Sequence, residues 1–163
     1  KKTFLQTKEA LDQEAATVHA STPAVSTITN KYSKIHVLLA EDNIVNQKVA
    51  VKMLEKAGAQ VEIAQNGKEA LKLIEAKVYD MIFMDCQMPE MDGFDATKAI
   101  RLFEQSHDRI RCPIIALTAN AQEGDREECL AAGMTDFLAK PLKQDALREI
   151  LKKFQAHANE TLL

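Results

Sequence analysis

From Ile35 onward, the chain alternates short apolar runs with longer segments that mix charged and apolar residues. The apolar runs predict five β-strands, which are KIHVLLA, QVEIA, YDMIFMD, PIIALTA and TDFLAK. The segments that follow them have apolar residues at helical spacing and predict five α-helices. The runs HVLLA, MIFM and PIIAL contain no charged residue, as is typical of strands buried on both faces.

The predicted helices carry start and stop signals. Asn66 and Glu69 predict a capping box for the second helix. The third helix is expected from about Phe94 to Glu104, with Asp92 or Gly93 near its cap. Gly133 is expected to end the fourth. In the first helix, apolar residues recur every four positions and predict the buried face; they are Val45, Val49, Met53 and Ala57, with Gly58 at the end. The last helix, after Pro141, has a longer apolar face: Leu142, Ala146, Leu147, Ile150, Leu151 and Phe154.

Strict alternation of strands and helices predicts an α/β fold with a parallel sheet covered by helices on both faces, because parallel strands need crossover connections. In such sheets, ligands bind at the edge formed by the carboxyl ends of the strands. We expect the folded domain to span residues 35–157, with a short tail at 158–163. Residues 1–34 contain a Ser/Thr-rich stretch with Pro23, which predicts a linker or N-terminal extension. A weakly amphipathic stretch before it could form a short helix.

Composition and charge restrict the class of protein. The 163 residues are 46% hydrophobic and 28% charged, which is typical of a soluble globular protein, and the net charge of −3 argues against a nucleic-acid-binding surface. No apolar run approaches the length of a membrane span, and the first residues show no apolar stretch of the signal-peptide kind. Because the first residue is lysine, we expect a piece of a longer polypeptide. The odd set Cys86, Cys112 and Cys129 lacks CxxC spacing and predicts reduced thiols in a cytoplasmic protein.

Polar side chains follow four of the predicted strands. Glu41 and Asp42 follow the first strand, Asp85 ends the third, Thr118 ends the fourth, and Lys140 follows the fifth. In a parallel sheet these residues share one edge, where three carboxylates repel one another and attract a cation. Oxygen ligands of this kind suit Mg²⁺, while a lysine and a hydroxyl suit phosphoryl oxygens. The sequence therefore predicts a site that holds a phosphoryl group beside a metal ion.

The motifs LLAEDN, MIFMDCQMPEMDGF, IIALTA and DFLAKPL, in this order and spacing, resemble the receiver domain of two-component response regulators. The resemblance covers about residues 34–156, and the wording AEDNIVNQKVA and MDCQMPEMDG is most similar to receivers of hybrid sensor histidine kinases. It implies a flavodoxin-like doubly wound sheet of five parallel strands in the order 2-1-3-4-5. It also implies phosphorelay signalling with a histidine kinase domain, a histidine phosphotransfer protein, or both as partners.

The resemblance implies a role for each residue of the predicted site. Asp85 is the phosphoacceptor, which takes a phosphoryl group from a phosphohistidine. Mg²⁺ is held by Asp42, by Glu41 directly or through water, by Asp85 and by the backbone carbonyl of Gln87. Thr118 and Lys140 contact the phosphoryl oxygens.

Two further roles come from the same resemblance. Thr118 and Phe137 form the switch that responds to phosphorylation, although simple core packing is an equal alternative for Phe137. Pro141 is a candidate cis proline that aims Lys140 inward. Cys86, next to Asp85, is expected to point to the other side of the strand and to serve packing.

Three alternative functions remain at this level. A haloacid dehalogenase-type phosphatase also uses an aspartate nucleophile with Mg²⁺, but it needs a second aspartate two residues later, where this chain has Gln87. An inactive receiver that serves only as an interaction module would lack one of the site residues, and none is missing. A free-standing receiver is the third alternative. Any receiver takes part in its own phosphorylation and dephosphorylation, so the sequence leaves open whether the chain counts as an enzyme.

Overall fold

The computed structural model describes residues 34–160, with side chains described as far as Gln155. Its strands are β1 (Ile35–Ala40), β2 (Ala59–Ala64), β3 (Met81–Asp85), β4 (Ile114–Thr118) and β5 (Asp136–Ala139). Its helices are α1 (Ile44–Lys56), α2 (Gly67–Ala76), α3 (Gly93–Ser106), α4 (Glu123–Ala132) and α5 (Gln144–Glu160). The expectations for residues 1–34 and 158–163 lie mostly outside the described residues, so those domain boundaries stay predictions.

The five strands form one parallel sheet in the order β2-β1-β3-β4-β5, which confirms the predicted fold class. β3 lies in the centre, between β1 and β4, and every one of its residues is buried. A parallel strand in this position needs apolar side chains on both faces, which explains why its sequence MIFM has no polar position before Asp85.

Helices cover both faces of the sheet, and each face has its own apolar core. Met81 and Phe83 of β3 lie in the core that includes residues of α1 and α5, whereas Ile82 and Met84 lie in the core with α2 and α3. This alternation continues past the end of the strand, so Cys86 belongs to the second core. Cys86 therefore points to the opposite side of the sheet from Asp85, as the sequence predicted.

The helices begin and end largely where the sequence signals stand. Asn66 Oδ1 accepts a hydrogen bond from the Glu69 N–H at 2.8 Å, and the Glu69 carboxylate accepts one from the N–H of Gln65, one residue before the cap. Asp92 caps α3 by accepting from the Asp95 N–H. Gly133 ends α4 with φ of 104°, a left-handed conformation that favours glycine.

The predicted apolar face of α1 is only partly right, since Met53 and Ala57 pack against the core but the two valines do not. Val45 and Val49 are 69% and 46% exposed, while the residues that α1 buries are Gln47, Ala50 and Leu54. The helix packs on the sheet through small and polar side chains as well as a leucine, so a pattern built on apolar residues alone selected the neighbouring face. A smaller correction concerns Leu142, which packs in the same core as α5 but precedes the first residue of that helix.

Among the described residues, none of the helices combines the length and the apolar character needed to cross a membrane.

Candidate functional site

The strand register brings the predicted site residues to one edge of the sheet. Ala40 pairs with Met84, so Glu41 and Asp85, the next residue in each chain segment, stand at the same level. Thr118 at the end of β4 pairs with Ala139, directly before Lys140. The carboxyl ends of four adjacent strands therefore meet around the Asp85 carboxylate.

Asp85 is held rigidly by the segment that follows it. Gly93, the first residue of α3, donates its N–H to the carbonyl of Cys86 at 3.1 Å. A side chain at Gly93 would collide with the backbone carbonyl oxygen of Asp85, so only glycine permits this approach. The turn MPEMDG thus fixes the end of β3 and the start of α3 against each other.

Lys140 joins two of the acidic residues. Its Nζ donates to Asp85 Oδ2 at 2.8 Å and to Glu41 Oε2 at 2.9 Å. The side chains of Asp85 and Glu41 are 7% and 3% exposed, and that of Lys140 is 24% exposed. The Lys140–Pro141 peptide bond is cis. A lysine that follows β5 thereby reaches carboxylates that follow β1 and end β3.

Glu41 is fixed by the start of α1 as well. Its Oε1 accepts hydrogen bonds from the Asn43 N–H and from Asn46 Nδ2, both at 3.2 Å. Its backbone carbonyl accepts from Gln47 Nε2 at 2.6 Å. Asn43 in turn caps α1 by accepting from the N–H of Val45 and of Asn46. The sequence EDNIVNQ therefore serves both as a helix start and as a support for Glu41.

The acidic residues form a set that fits a divalent cation. Glu41, Asp42 and Asp85 each offer a carboxylate oxygen, and these oxygens lie within 4.8 Å of one another. Asp42 is exposed, and in the part of the chain that the structure describes no group donates a hydrogen bond to its carboxylate. Three carboxylates around one ammonium group leave excess negative charge, and hard oxygen donors suit Mg²⁺.

Burial and charge act on the two ionisable groups at the centre. Burial raises the pKa of Asp85, against the opposing effects of the Lys140 hydrogen bond and of the N–H of Gln87, which donates to Oδ1 at 3.1 Å. The nearby charge of Glu41 raises it further. Burial works to lower the pKa of Lys140, but its hydrogen bonds to Asp85 and Glu41 outweigh that effect and raise it. Lys140 is therefore a cation at neutral pH, and the Asp85 carboxylate carries its charge at a cost.

Of the two predicted switch residues, Thr118 lines the cavity, and among the described residues neither Thr118 nor Phe137 makes a hydrogen bond to Asp85. The Thr118 hydroxyl donates to the carbonyl of Asn120 at 2.8 Å and accepts from its N–H at 3.2 Å. Phe137 is partly buried, and the guanidinium of Arg126 on α4 lies 5.9 Å from the centre of its ring. Thr118 would have to leave Asn120 in order to reach a group on Asp85.

A cavity of about 350 Å³ opens over the site. Its lining includes Asp42, Asn46 and Gln87 and, from α4, Asp125 and Glu128. Among the described residues that line it, the acidic ones outnumber the basic one, Lys140. The cavity therefore attracts cations, and a metal ion bound there would reduce its repulsion of an anionic phosphoryl group.

Sequence reasoning missed several residues that shape this site. Asn43 and Asn46 follow the acid pair at the start of a predicted helix, so the capping preference of asparagine could have identified the first of them. The hydrogen bond from Asn46 to Glu41 leaves no comparable signal. Asp125 and Glu128 carry no sequence signal either, because their position at the cavity depends on how α4 packs.

The comparisons with known proteins identify the family of the chain. Residues 37–152 match the family model described as "Response regulator receiver domain". The chain is 46% identical over 133 residues to hybrid signal transduction histidine kinase K of Dictyostelium discoideum, covering 79% of this chain and 11% of that protein. It is 41% identical over 150 residues to probable histidine kinase 1 of Oryza sativa subsp. indica, covering 75% and 16%. The chain thus spans only a small part of the length of these relatives.

Solved receiver domains have the same fold. The receiver domain of a sensor histidine kinase from Pseudomonas aeruginosa PAO1, with a magnesium ion coordinated in its active site cleft, is 48% identical with a TM-score of 0.68, covering 75% of this chain and 98% of that one. The receiver domain of Ssk1 from Saccharomyces cerevisiae, crystallised with the histidine phosphotransfer protein Ypd1, is 33% identical with a TM-score of 0.72, covering 76% and 90%.

Proposed function

The chain belongs to the response regulator receiver domain family, and we propose that it accepts a phosphoryl group from a phosphohistidine onto Asp85. The observation that carries this proposal is the contact of Lys140 with both Asp85 and Glu41, beside the free carboxylate of Asp42. A strand-end aspartate with a bound lysine and two further acids has the groups needed for phosphoryl transfer.

The chemistry follows from the positions of these groups. An Asp85 carboxylate oxygen forms a bond to phosphorus while the bond from phosphorus to the imidazole nitrogen breaks, and the electron pair of that bond stays on the nitrogen. Lys140 stabilises the charge on the transferred oxygens, and the Thr118 hydroxyl contacts one of them after it leaves Asn120. Asp42, Glu41, Asp85 and the Gln87 carbonyl would hold a Mg²⁺ ion, which would supply further charge neutralisation when bound.

The same movement of Thr118 would transmit the signal. Thr118 is buried, so a shift of its side chain towards Asp85 leaves space in the wall of the cavity. Phe137, on the neighbouring strand β5, is the aromatic residue that would move into this space. Its contact with Arg126 would then change, which couples Asp85 to the surface formed by α4 and β5.

The surface next to the cavity suits a helical partner. Ile44, Val45 and Val49 of α1 are 65%, 69% and 46% exposed, and Asn43 and Asn46 of the same helix border the cavity. Exposed apolar residues beside a reactive site are typical of a docking surface. We infer that a histidine phosphotransfer domain or the histidine-bearing domain of a kinase docks here, that the parent protein is a hybrid histidine kinase, and that this part of it is cytoplasmic.

Intact-mass measurement after incubation with phosphoramidate tests the phosphoacceptor. We expect the wild-type chain to gain one phosphoryl group in the presence of Mg²⁺ and none with a chelator. Asp85→Asn should gain none. Asp108→Asn is a matched control, because Asp108 is exposed and its φ of 52° is one that asparagine adopts readily.

Two outcomes would contradict the proposal. Equal gain in wild type and Asp85→Asn would place the phosphoryl group on another residue. No gain in the wild type, either from phosphoramidate or from a phosphorylated histidine phosphotransfer protein, would favour an inactive receiver that acts only as an interaction module.

A second measurement tests the docking surface. The double variant Val45→Ser/Val49→Ser should accept phosphoryl groups from phosphoramidate at the wild-type rate. Transfer from a phosphorylated histidine phosphotransfer protein such as Ypd1 should slow by about ten-fold, because apolar contacts at the centre of an interface dominate its affinity. Equal rates with both donors would show that this face of α1 does not bind the partner.

A further inference from the structure

Three donors hold the Glu41 carboxylate, and two of them are side chains, those of Lys140 and Asn46. Lys140 Nζ donates to Oε2 at 2.9 Å, and Asn46 Nδ2 donates to Oε1 at 3.2 Å together with the N–H of Asn43. Glu41 is only 2% exposed, so its orientation depends on these contacts and not on solvent. Each carboxylate oxygen thus has its own donor.

The two side-chain donors, Lys140 and Asn46, differ in what else they do. Lys140 also binds Asp85 at 2.8 Å, so it belongs to the reacting group and would redirect its contacts when a phosphoryl group forms there. Asn46 has no such second task, because its side chain donates to Glu41 alone among the described residues. The Asn46 contact with Oε1 would therefore persist when the Lys140 contact with Oε2 weakens.

The helix does not need the Asn46 side chain. Asn43 already caps α1 through its hydrogen bonds to the N–H of Val45 and of Asn46. Asn46 lies inside the first turn, where asparagine is a poorer helix former than alanine. An asparagine at this exposed position therefore has an explanation in its contact with Glu41 and none in helix stability.

We propose that Asn46 is a positioning residue for the metal site, which keeps the Glu41 carboxylate directed at the cavity while Lys140 changes partners. The proposal rests on the proposed function, since it requires that Glu41, Asp42 and Asp85 bind Mg²⁺. It predicts that Asn46 matters most for metal affinity when Lys140 no longer holds Oε2.

A double-mutant cycle on Mg²⁺ affinity tests this proposal. Binding is measured by NMR titration of backbone amide signals in wild type, Asn46→Ala, Lys140→Met and the double variant. We expect Asn46→Ala to weaken Mg²⁺ binding about three-fold in the wild-type background and about ten-fold in the Lys140→Met background, the scale seen when a residue that supports a metal ligand is removed.

Stability and a control variant separate positioning from a structural role. Asn46→Ala should leave the melting temperature in chelator within about 3 °C of wild type, because alanine's helix propensity offsets the lost hydrogen bond. Gln105→Ala removes an exposed amide from the last turn of α3 and should leave Mg²⁺ affinity unchanged. A loss of metal affinity without a loss of stability would support positioning.

The outcomes that overturn the proposal differ from those that overturn the proposed function. If wild type binds Mg²⁺ and Asp42→Asn does not, the metal site stands; an Asn46→Ala effect below about two-fold in both backgrounds would then overturn the positioning role alone. An equal effect in the two backgrounds would also overturn it, because Asn46 would then act independently of the Lys140 contact. A wild type that binds no Mg²⁺ would overturn the metal site and the positioning role together.

Discussion

Within residues 34–160, buried carboxylates meet a basic side chain at each end of the sheet, and the two places differ in how their charges are matched. At the carboxyl ends of the strands, Lys140 bonds to Asp85 and Glu41. At the amino ends of β4 and β5, Arg101 of α3 bonds to Glu104 at 2.7 Å, with the two side chains 12% and 6% exposed. Both pairs are removed from water, so solvent screening does not explain their different roles.

The Arg101–Glu104 pair is matched one to one and completed by backbone groups. Arg101 Nε donates to the carbonyl of Gly133 at 2.9 Å, and Nη1 donates to the carbonyl of Cys112 at 2.8 Å. Glu104 Oε1 accepts from the Cys112 N–H at 2.8 Å. These bonds tie α3 to the segment before β4 and to the end of α4, and a satisfied pair of this kind serves to fix a structure.

The Lys140 site is unmatched. One ammonium group serves two buried carboxylates, a third carboxylate from Asp42 lies nearby, and the pKa of Asp85 is raised by burial and by Glu41. The Arg101–Glu104 pair, whose charges balance, fixes structure, whereas the carboxylates around Lys140 keep a charge that a ligand can use. The excess negative charge favours binding of a cation, which would offset the repulsion between these carboxylates and an anionic phosphoryl group.

The largest expected effect on stability comes from the matched pair. Arg101→Met leaves the Glu104 carboxylate buried without its cation and should lower the free energy of unfolding by about 3 kcal/mol. Urea unfolding with and without Mg²⁺ measures it. Mg²⁺ should not reduce the difference from wild type, because this pair lies at the opposite edge of the sheet.

The double variant Arg101→Met/Glu104→Leu is the control for an unpaired charge. It should be more stable than Arg101→Met, since no carboxylate is then left uncompensated. A fall of less than about 1 kcal/mol in the free energy of unfolding of Arg101→Met would contradict a structural role for this pair, because the pair would then resemble a surface salt bridge.

A smaller effect is expected at the unmatched site. Lys140→Met should lower the free energy of unfolding in chelator by about 2 kcal/mol, because Glu41 and Asp85 lose their shared cation. Mg²⁺ should then stabilise the variant more than it stabilises wild type, since the metal replaces the missing positive charge. Equal stabilisation of both proteins by Mg²⁺ would mean that Lys140 and the metal do not share the same carboxylates.

The smallest effect has the opposite sign. Asp85→Asn should raise the free energy of unfolding in chelator at pH 7 by about 1 kcal/mol, the usual scale for a single substitution. Because the folded-state pKa of Asp85 is raised, its charged form destabilises the fold above that pKa, and the cost is relieved as pH falls from the folded towards the unfolded value. The advantage of Asp85→Asn should therefore shrink on acidification.

Urea unfolding of wild type and Asp85→Asn between pH 7 and pH 4 checks this sign. The difference between the two proteins removes the contribution of other groups, such as Glu62, whose lowered pKa acts in the other direction. A less stable Asp85→Asn, or a difference that does not change with pH, would contradict the account of the site.

The sequence predicted the sheet better than it predicted the helix faces. Strands such as MIFMD are buried on both sides, so their apolar runs identify them without knowledge of their neighbours. The face of α1 depends on its neighbours: Gln47 is buried because its amide reaches the Glu41 carbonyl, and no apolar period reveals that bond. The same reason explains why Val45 and Val49 were assigned to the wrong side.

The site was predictable in its members but not in its connections. Parallel strands bring Glu41, Asp85 and Lys140 to one edge, and the family motifs identify them. The bonds among them join residues far apart in the chain, as Lys140 and Glu41 are, and depend on side-chain packing. In the sequence, Arg101 and Glu104 look like an ordinary i, i+3 pair on a helix. Their burial depends on packing against the segments of Gly133 and Cys112, whose carbonyls accept hydrogen bonds from Arg101.

The most direct test of the central claim is to locate the phosphoryl group. After incubation with phosphoramidate and Mg²⁺, borohydride reduction converts an aspartyl phosphate to homoserine, which peptide mass spectrometry assigns to a position. We predict homoserine at position 85 in the Mg²⁺ sample and none in chelator. Homoserine at another aspartate, or equal labelling of position 85 without a divalent cation, would contradict the assignment of Asp85 as a phosphoacceptor within a metal site.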